Sequence, residues 1–311
     1  MKDIKYYIGP ISKNVVDSII LFSNDYNIKI GLIPSINQIN YNSGYVGWKT
    51  DQFIKYVKNK TKNIIIERDH GFNSDIFKFD SENFIDIIHI DPWSHYKDYN
   101  DNLKYTIENI NYINKINKNI YFEVGTEESI KKFEVDELDN FLNDLKNNLD
   151  DKIFKKIIYV VIQSGTKIKE TKNIGNFNPD RLKSMINISK KYNLLTKEHN
   201  GDYLSKDDIN KRFELGLSSI NIAPEFGVFE TDIILENINN DTFDKFFKIC
   251  YNSKKWKKWV DKEFNPFENK KELIRICGHY QFNTKEFLNL NIKLDNIIKE
   301  KLYKKIKDLI L

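Results

Sequence analysis

The segment Ile157-Ile158-Tyr159-Val160-Val161-Ile162 is apolar at six consecutive positions, so a strand formed here would be apolar on both faces. Both faces of a strand are buried when helices cover the two sides of a parallel sheet. Ile64-Ile65-Ile66 has the same character nearer the N-terminus. These two runs therefore predict parallel strands in an α/β protein.

Apolar runs of strand length, rich in Ile, Val and Tyr, recur eight times along the chain. They lie near residues 5–8, 28–33, 63–67, 85–90, 119–124, 157–163, 193–198 and 218–223. The segments between them have helical periodicity, as at Phe53, Ile54 and Val57. The spacing of about 20 to 40 residues fits a strand followed by a crossover helix. Eight such units predict a (β/α)8 TIM barrel.

An open, doubly wound sheet is the alternative for alternating strands and helices. Such a sheet normally carries a G-x-G-x-x-G turn after its first strand. Here the first run ends Ile8-Gly9-Pro10-Ile11-Ser12, which lacks that motif. The strand count and the missing motif favour the closed barrel.

The chain of 311 residues divides where the strand pattern stops. We expect residues 1–240 to form the barrel and residues 241–311 to form a helical extension that caps the barrel or covers its mouth. This extension contains Lys254-Lys255-Trp256-Lys257-Lys258-Trp259, in which cations alternate with aromatic rings that could stack on bases. Helical spacing favours another interpretation, an amphipathic helix that buries Trp256 against the barrel.

Composition excludes several classes of protein. The 49 Lys and Arg residues nearly balance 45 Asp and Glu residues and are interspersed with them, so we expect no nucleic-acid partner. No run of about 18 apolar residues and no signal-peptide pattern is present, so we expect neither membrane insertion nor export. Cys250 and Cys277 are too few for a disulfide framework, which is typical of a reducing, cytoplasmic location.

Polar residues follow seven of the eight predicted strands. In a TIM barrel these positions meet at one mouth, where catalysis takes place. His70 and His199 both stand beside carboxylates there, and a neutral imidazole can bind a divalent metal. Glu127 would complete a set of three ligands with an open position for substrate. We expect His89, which lies inside the fourth run, to be a hydrogen-bonded core residue, and His279 to lie on the surface or in a lid.

Short motifs occur in a fixed order through most of the chain. They are Ser35-Ile36-Asn37-Gln38-Ile39-Asn40, Gly44-Tyr45-Val46-Gly47-Trp48, Asp69-His70, Ile88-His89-Ile90-Asp91, Val124-Gly125-Thr126-Glu127, Gln163-Ser164-Gly165, Glu198-His199-Asn200-Gly201-Asp202 and Ala223-Pro224-Glu225. Together they resemble the signatures of the accessory (non-catalytic) subunit family of tagatose-bisphosphate aldolase, within the class II aldolase superfamily. Relatives in this superfamily include metal-dependent sugar aldolases and C4-epimerases.

The resemblance implies retro-aldol chemistry on a ketose or ketose phosphate, with cleavage between C3 and C4 or inversion at C4. It implies a divalent metal such as Zn²⁺ or Mn²⁺, which we assign to His70, Glu127 and His199. We assign proton transfer to Asp69 and Glu225.

Substrate binding completes the hypothesis. We assign it to polar residues at the predicted mouth, namely Asn37, Gln38, Asp91, Gln163 and Asp202. A phosphate would also need a cation, which Arg275 or Lys197 could supply.

A non-catalytic role is the alternative. The chain would then be an accessory subunit that binds and stabilises a partner aldolase, with a stable hetero-complex and no tightly held metal. Polar groups at nearly every strand end favour the enzyme. A homo-oligomer is also open, since barrels commonly pair through their outer helices.

Overall fold

The computed structural model describes residues 4–83 and 85–311. Its strands are β1 (Tyr6–Ile8), β2 (Ile30–Leu32), β3 (Ile64–Gly71), β4 (Ile87–Ile90), β5 (Tyr121–Val124), β6 (Ile157–Ile162), β7 (Ile168–Lys169), β8 (Lys172–Asn173), β9 (Leu195–Glu198) and β10 (Ser219–Ile222). Eight of them close into a parallel barrel in the order β1-β10-β9-β6-β5-β4-β3-β2. The predicted TIM barrel is therefore confirmed; seven predicted runs contain a barrel strand, and the run at 63–67 overlaps β3, which continues to Gly71. The short strands β7 and β8 pair antiparallel outside the barrel.

Helices follow the barrel strands and surround them. Their bounds are α1 (Lys13–Tyr26), α2 (Thr50–Lys60), α3 (Ser74–Glu82), α4 (Tyr99–Ile116), α5 (Val135–Asn148), α6 (Asp151–Phe154), α7 (Pro179–Lys191), α8 (Lys206–Glu214), α9 (Pro224–Asn237), α10 (Asn240–Ser253), α11 (Lys270–Cys277), α12 (Lys285–Leu288) and α13 (Asp295–Ile310). In α1, Val15 and Ile19 are fully buried, and the Ser12 hydroxyl caps the helix by accepting a hydrogen bond from the Val15 amide at 3.1 Å. No described helix is long and apolar enough to cross a membrane.

Side chains along each barrel strand alternate between the interior and the surrounding helices. In β3, Glu67 contacts Lys197 inside the barrel, whereas the next residue, Arg68, forms a buried ion pair with Asp80 of α3. In β9, Lys197 points inward and Glu198 pairs with Arg212 of α8. This alternation places every second residue of a strand toward the barrel axis.

The C-terminal segment packs in two places. Helix α13 lies against α1 and α9, where the Tyr6 hydroxyl donates to the Leu309 carbonyl at 3.1 Å. Two 3₁₀ turns, Lys255–Lys258 and Gly278–Tyr280, lie at the mouth. Trp256 is buried as expected, although in a 3₁₀ turn rather than an amphipathic α-helix. The division of the chain at residue 240 stays a prediction.

Candidate metal centre and active site

Asp69 and His70 are consecutive in β3, yet both side chains face the same point. Neighbouring strand residues normally point to opposite faces. Here the pairing of β3 with β4 shifts register between Arg68 and Gly71, and His70 has a φ of 46°. This left-handed conformation is uncommon outside glycine and recurs at functional sites. The irregularity brings Nε2 of His70 to 3.7 Å from Oδ1 of Asp69.

Three imidazoles and one carboxylate converge at the C-terminal ends of the strands. Nδ1 of His89 and Nδ1 of His199 each lie 4.0 Å from Oδ1 of Asp69. One donor atom from each of Asp69, His70, His89 and His199 lies within 4.8 Å of all the others. Atoms bonded to one zinc ion at about 2.1 Å lie at most about 4.2 Å apart, and the three distances to Asp69 fall within this limit. The other pairs of donors are within 4.8 Å, so these four residues would hold a divalent metal after a small inward movement of their side chains, and their imidazole and carboxylate donors suit such an ion.

Each ring is held at its other nitrogen. The contacts are His70 Nδ1 to Asp91 Oδ2 at 2.6 Å, His199 Nε2 to Glu123 Oε1 at 2.7 Å and His89 Nε2 to the Gly125 carbonyl at 3.0 Å. A nitrogen that donates its proton to such an acceptor leaves the second nitrogen with a free lone pair. The second nitrogens of all three rings would then face Asp69. That of His89 also accepts a weak hydrogen bond from the His70 backbone amide at 3.4 Å, which a bound metal would replace.

The electrostatics of the cluster favour positive charge at its centre. Burial alone would lower the pKa of His70, but the carboxylates of Asp69 and Asp91 outweigh it and raise this pKa well above its usual value. Conversely, the imidazoles outweigh burial and lower the pKa of Asp69. The carboxylates thus require a nearby cation, which protons on the rings or a bound metal can supply.

A buried ionic layer lies beneath the cluster. The Lys197 ammonium contacts both Glu67 and Glu123, and all three side chains are at most 1% exposed. Burial and the charge of Glu123 raise the pKa of Glu67, whereas Lys197 outweighs burial and lowers the pKa of Glu123. Glu123 is the member of this pair that contacts the His199 ring, at 2.7 Å. The suggestion that Lys197 supplies charge for a phosphate was wrong, because its ammonium is buried and neutralised.

A cavity of about 720 Å³ opens above the cluster, and we call it the mouth cavity. Asp69, His70 and Glu127 line its floor, and Asn37 and Gln38 line one side. Oε2 of Glu127 lies 3.8 Å from Nε2 of His70 and accepts a hydrogen bond from the Asn200 amide at 2.6 Å. This volume is in the range of small-molecule sites in proteins.

The structure brings Asn37, Gln38, Asp69, His70, Glu127 and His199 to the mouth cavity or its cluster, and Asp91 lies directly behind His70. Four other predicted site residues, all within the described part of the chain, do not line the cavity. Arg275 pairs with Asp232 and Glu272, each at 2.7 Å. Glu225 pairs with Lys305 at 2.5 Å.

Gln163 and Asp202 are the other two, and both serve neighbouring backbone. The Gln163 amide donates to the carbonyls of Thr126 and Lys131. Asp202 accepts from the amide of Ala223 at 2.9 Å, and its pKa is raised to about 8 by burial and by the charge of Glu225. The polar groups of Gln163 and Asp202 therefore stabilise neighbouring loops instead of facing the mouth cavity.

Sequence reasoning missed His89 as a member of the cluster and missed Glu123 as the partner of His199. His89 is fully buried and hydrogen-bonded, as expected of a core residue, but its Nδ1 also lies 4.0 Å from Oδ1 of Asp69. The sequence of β4 could have indicated this position. Ile88 and Ile90 pack in the main hydrophobic core between the strands and the helices, so His89 between them must face the barrel axis.

Comparisons with known proteins agree on the fold. No family model and no curated protein matches the sequence. A probable tagatose 6-phosphate kinase from Sinorhizobium meliloti 1021 is structurally similar with a TM-score of 0.75 at 11% identity, covering 96% of this chain and 87% of that chain. The fructuronate-tagaturonate epimerase UxaE from Cohnella laeviribosi has a TM-score of 0.72 at 10% identity, covering 99% and 81%. The aldolase YdjI from Escherichia coli K12 has a TM-score of 0.61 at 14% identity, covering 99% and 91%. This chain therefore shares its fold with solved structures described as an aldolase and as a fructuronate-tagaturonate epimerase.

Proposed function

We propose that this protein is a divalent-metal-dependent enzyme that acts on a ketose or ketose phosphate, cleaving the C3–C4 bond or inverting C4. The observation that carries the proposal is the convergence of one ring nitrogen from each of His70, His89 and His199 on Asp69, beside the mouth cavity that Asp69 and His70 line. Imidazole and carboxylate donors suit Zn²⁺ and Mn²⁺. The site lies at the face where TIM-barrel enzymes perform their chemistry. Solved structures with this fold include proteins described as sugar aldolases and epimerases.

We assign the metal to four residues instead of the three expected from the sequence. They are Asp69, His70, His89 and His199. When bound, a divalent cation polarises a substrate carbonyl and stabilises the negative charge that develops on its oxygen. Asp91 and Glu123 hold two of the imidazoles in the orientation that points their free nitrogens inward.

Glu127 is then free to transfer protons. Its carboxylate faces the mouth cavity, and the Asn200 amide fixes one of its oxygens at 2.6 Å. In this role it would take the proton of the C4 hydroxyl as the C3–C4 bond breaks. Asn37 and Gln38 would hydrogen-bond the sugar hydroxyls from the side of the cavity.

Cleavage and inversion share this first half and differ in the fate of the aldehyde. An aldolase releases the aldehyde fragment, and C3 of the other fragment takes up a proton in place of the broken bond. A 4-epimerase keeps the fragment in the cavity, turns its opposite face toward C3 and reforms the bond, while the proton returns from the same base. Product analysis distinguishes the two outcomes directly.

Metal analysis of the purified protein, followed by incubation with free and phosphorylated ketoses, tests the proposal. We expect bound Zn²⁺ or Mn²⁺ and metal-dependent cleavage or epimerisation. His199→Ala should lose the metal and the turnover, because it removes one of the three nitrogens.

His95→Ala is the matched control, since His95 is exposed and stacks on Phe72 away from the cluster. Full metal occupancy with unchanged turnover in His199→Ala would contradict the assignment. A stable complex with a separate aldolase, without metal or turnover in this chain alone, would favour the accessory role.

A further inference from the structure

The roof of the mouth cavity is formed by the C-terminal segment and is strongly basic. Four lysines of residues 254–258, which we call the lysine segment, line the same cavity as Asp69 and Glu127. Trp259, His279 and Tyr280 complete this wall. The same cavity is therefore lined both by carboxylates of the barrel mouth and by ammonium groups of the C-terminal segment.

The charge of the lysine segment is not neutralised within the part of the chain that the structure describes. No described carboxylate lies within 4.0 Å of any of its four amino groups, whereas other lysines of the C-terminal region do have such partners. Lys270, for example, pairs with Asp244 at 3.0 Å, and Lys301 pairs with Glu236 at 2.8 Å. Burial and the neighbouring charge of Lys255 lower the pKa of Lys258, as expected for crowded like charges.

Aromatic contacts hold the lysine segment in place. The buried Trp256 donates its indole N–H to the Tyr251 carbonyl at 3.2 Å, and Trp259 donates to the Tyr280 hydroxyl at 3.3 Å. The Lys258 ammonium lies 4.6 Å from the centre of the Trp259 ring. Such contacts position an ammonium group without cancelling its charge.

We propose that the lysine segment binds an anionic group of the substrate, a phosphate or a carboxylate, at the end of the sugar remote from the reacting carbons. Lysine binds such groups as a point charge. A cavity of about 720 Å³ has room for a sugar between the floor and this roof. The inference rests on the proposed function for the identity of the sugar, but the anion site itself does not require the metal.

Calorimetry at low ionic strength can measure the binding of two probes, inorganic phosphate in one experiment and a hexuronate in the other. The protein is first treated with a chelator to remove metal. We expect the doubly substituted Lys255→Gln/Lys258→Gln protein to bind the preferred anion at least about tenfold more weakly than the wild type. The arm with the tighter binding identifies the anionic group. Added potassium chloride should weaken binding to the wild type as well, because the contact is ionic.

Lys248→Gln/Lys262→Gln is the matched control, since both lysines are exposed and neither lines the cavity. We expect its affinity to stay within about twofold of the wild type. Equal affinity in the wild type and Lys255→Gln/Lys258→Gln, or no binding of either anion, would overturn the proposal. Because these measurements use metal-free protein, they remain decisive even if the metal assignment fails.

Discussion

Asp91→Asn tests how the cluster is built, because Asp91 contacts the ring of His70 on the side away from the proposed metal. Its side chain is 1% exposed, with Oδ2 at 2.6 Å from His70 Nδ1 and Oδ1 accepting from the Trp93 amide at 3.3 Å. An asparagine has one acceptor oxygen and cannot serve both donors in this geometry. Loss of such a partner behind a metal-binding histidine costs roughly 10- to 100-fold in metal affinity, or about 1.4 to 2.7 kcal/mol.

The assay is competition for Zn²⁺ between the protein and a chromogenic chelator at neutral pH. Asp86→Asn is the control. Asp86 lies just before β4, at the end of the strand remote from Asp91, and its carboxylate accepts a hydrogen bond from the Ile66 amide at 2.8 Å. We expect weaker metal binding in Asp91→Asn only. Unchanged affinity in Asp91→Asn, or an equal loss in both variants, would refute the argument that Asp91 orients a ligand.

Three further predictions concern stability and can be measured by chemical denaturation. Arg68→Leu should lower the free energy of unfolding by about 3–5 kcal/mol, since it leaves the buried carboxylate of Asp80 unpaired; a loss below 1 kcal/mol, the order of an exposed pair, would argue against this. Gly31→Ala should cost about 1–3 kcal/mol, because a Cβ there would lie 1.9 Å from the Tyr7 ring; wild-type stability would show that the interior adapts. Burial raises the pKa of Glu230 from 4.5 to about 7. The folded protein therefore favours the protonated side chain, and this contribution to the free energy of unfolding is complete below pH 4.5 and is lost as the pH rises through 7. Glu230→Gln should remove that decline, up to about 3 kcal/mol, and an identical pH dependence in both proteins would contradict it.

The barrel could be predicted from the sequence because each strand carries its own signal. Runs such as Ile157–Ile162 are apolar on both faces, and only burial between an interior and a helical layer satisfies that pattern. Eight such runs match the number of parallel strands that close a TIM barrel. The small hairpin of β7 and β8 gave no such signal, since its four residues bury little apolar surface.

The candidate site was predictable in part, for a different reason. The mouth location of Asp69, His70 and His199 follows from their positions at strand ends. The contact between Asp69 and His70 depends on a register shift in β3, which no local pattern indicates. Glu123 and His89 could have been identified by strict alternation within their strands, which brings them side by side in β4 and β5.

The C-terminal segment was the least predictable part, because its function depends on where it packs. Arg275 was expected to bind substrate. It forms an ion pair with Asp232 of α9 instead and does not line the mouth cavity. The lysine segment has the local sequence of an exposed basic patch. Only the contact of Trp256 and Trp259 with aromatic neighbours places its charges above the mouth.

X-ray absorption spectroscopy of the metal-loaded protein counts the imidazoles bound to the ion and so tests whether His70, His89 and His199 hold it together. We expect three imidazole nitrogens at about 2.0–2.1 Å from the metal in the wild type and two in His89→Ala. The assignment would be contradicted if the protein retained no divalent metal. It would also be contradicted if the spectrum showed no bound imidazole and did not change in His89→Ala.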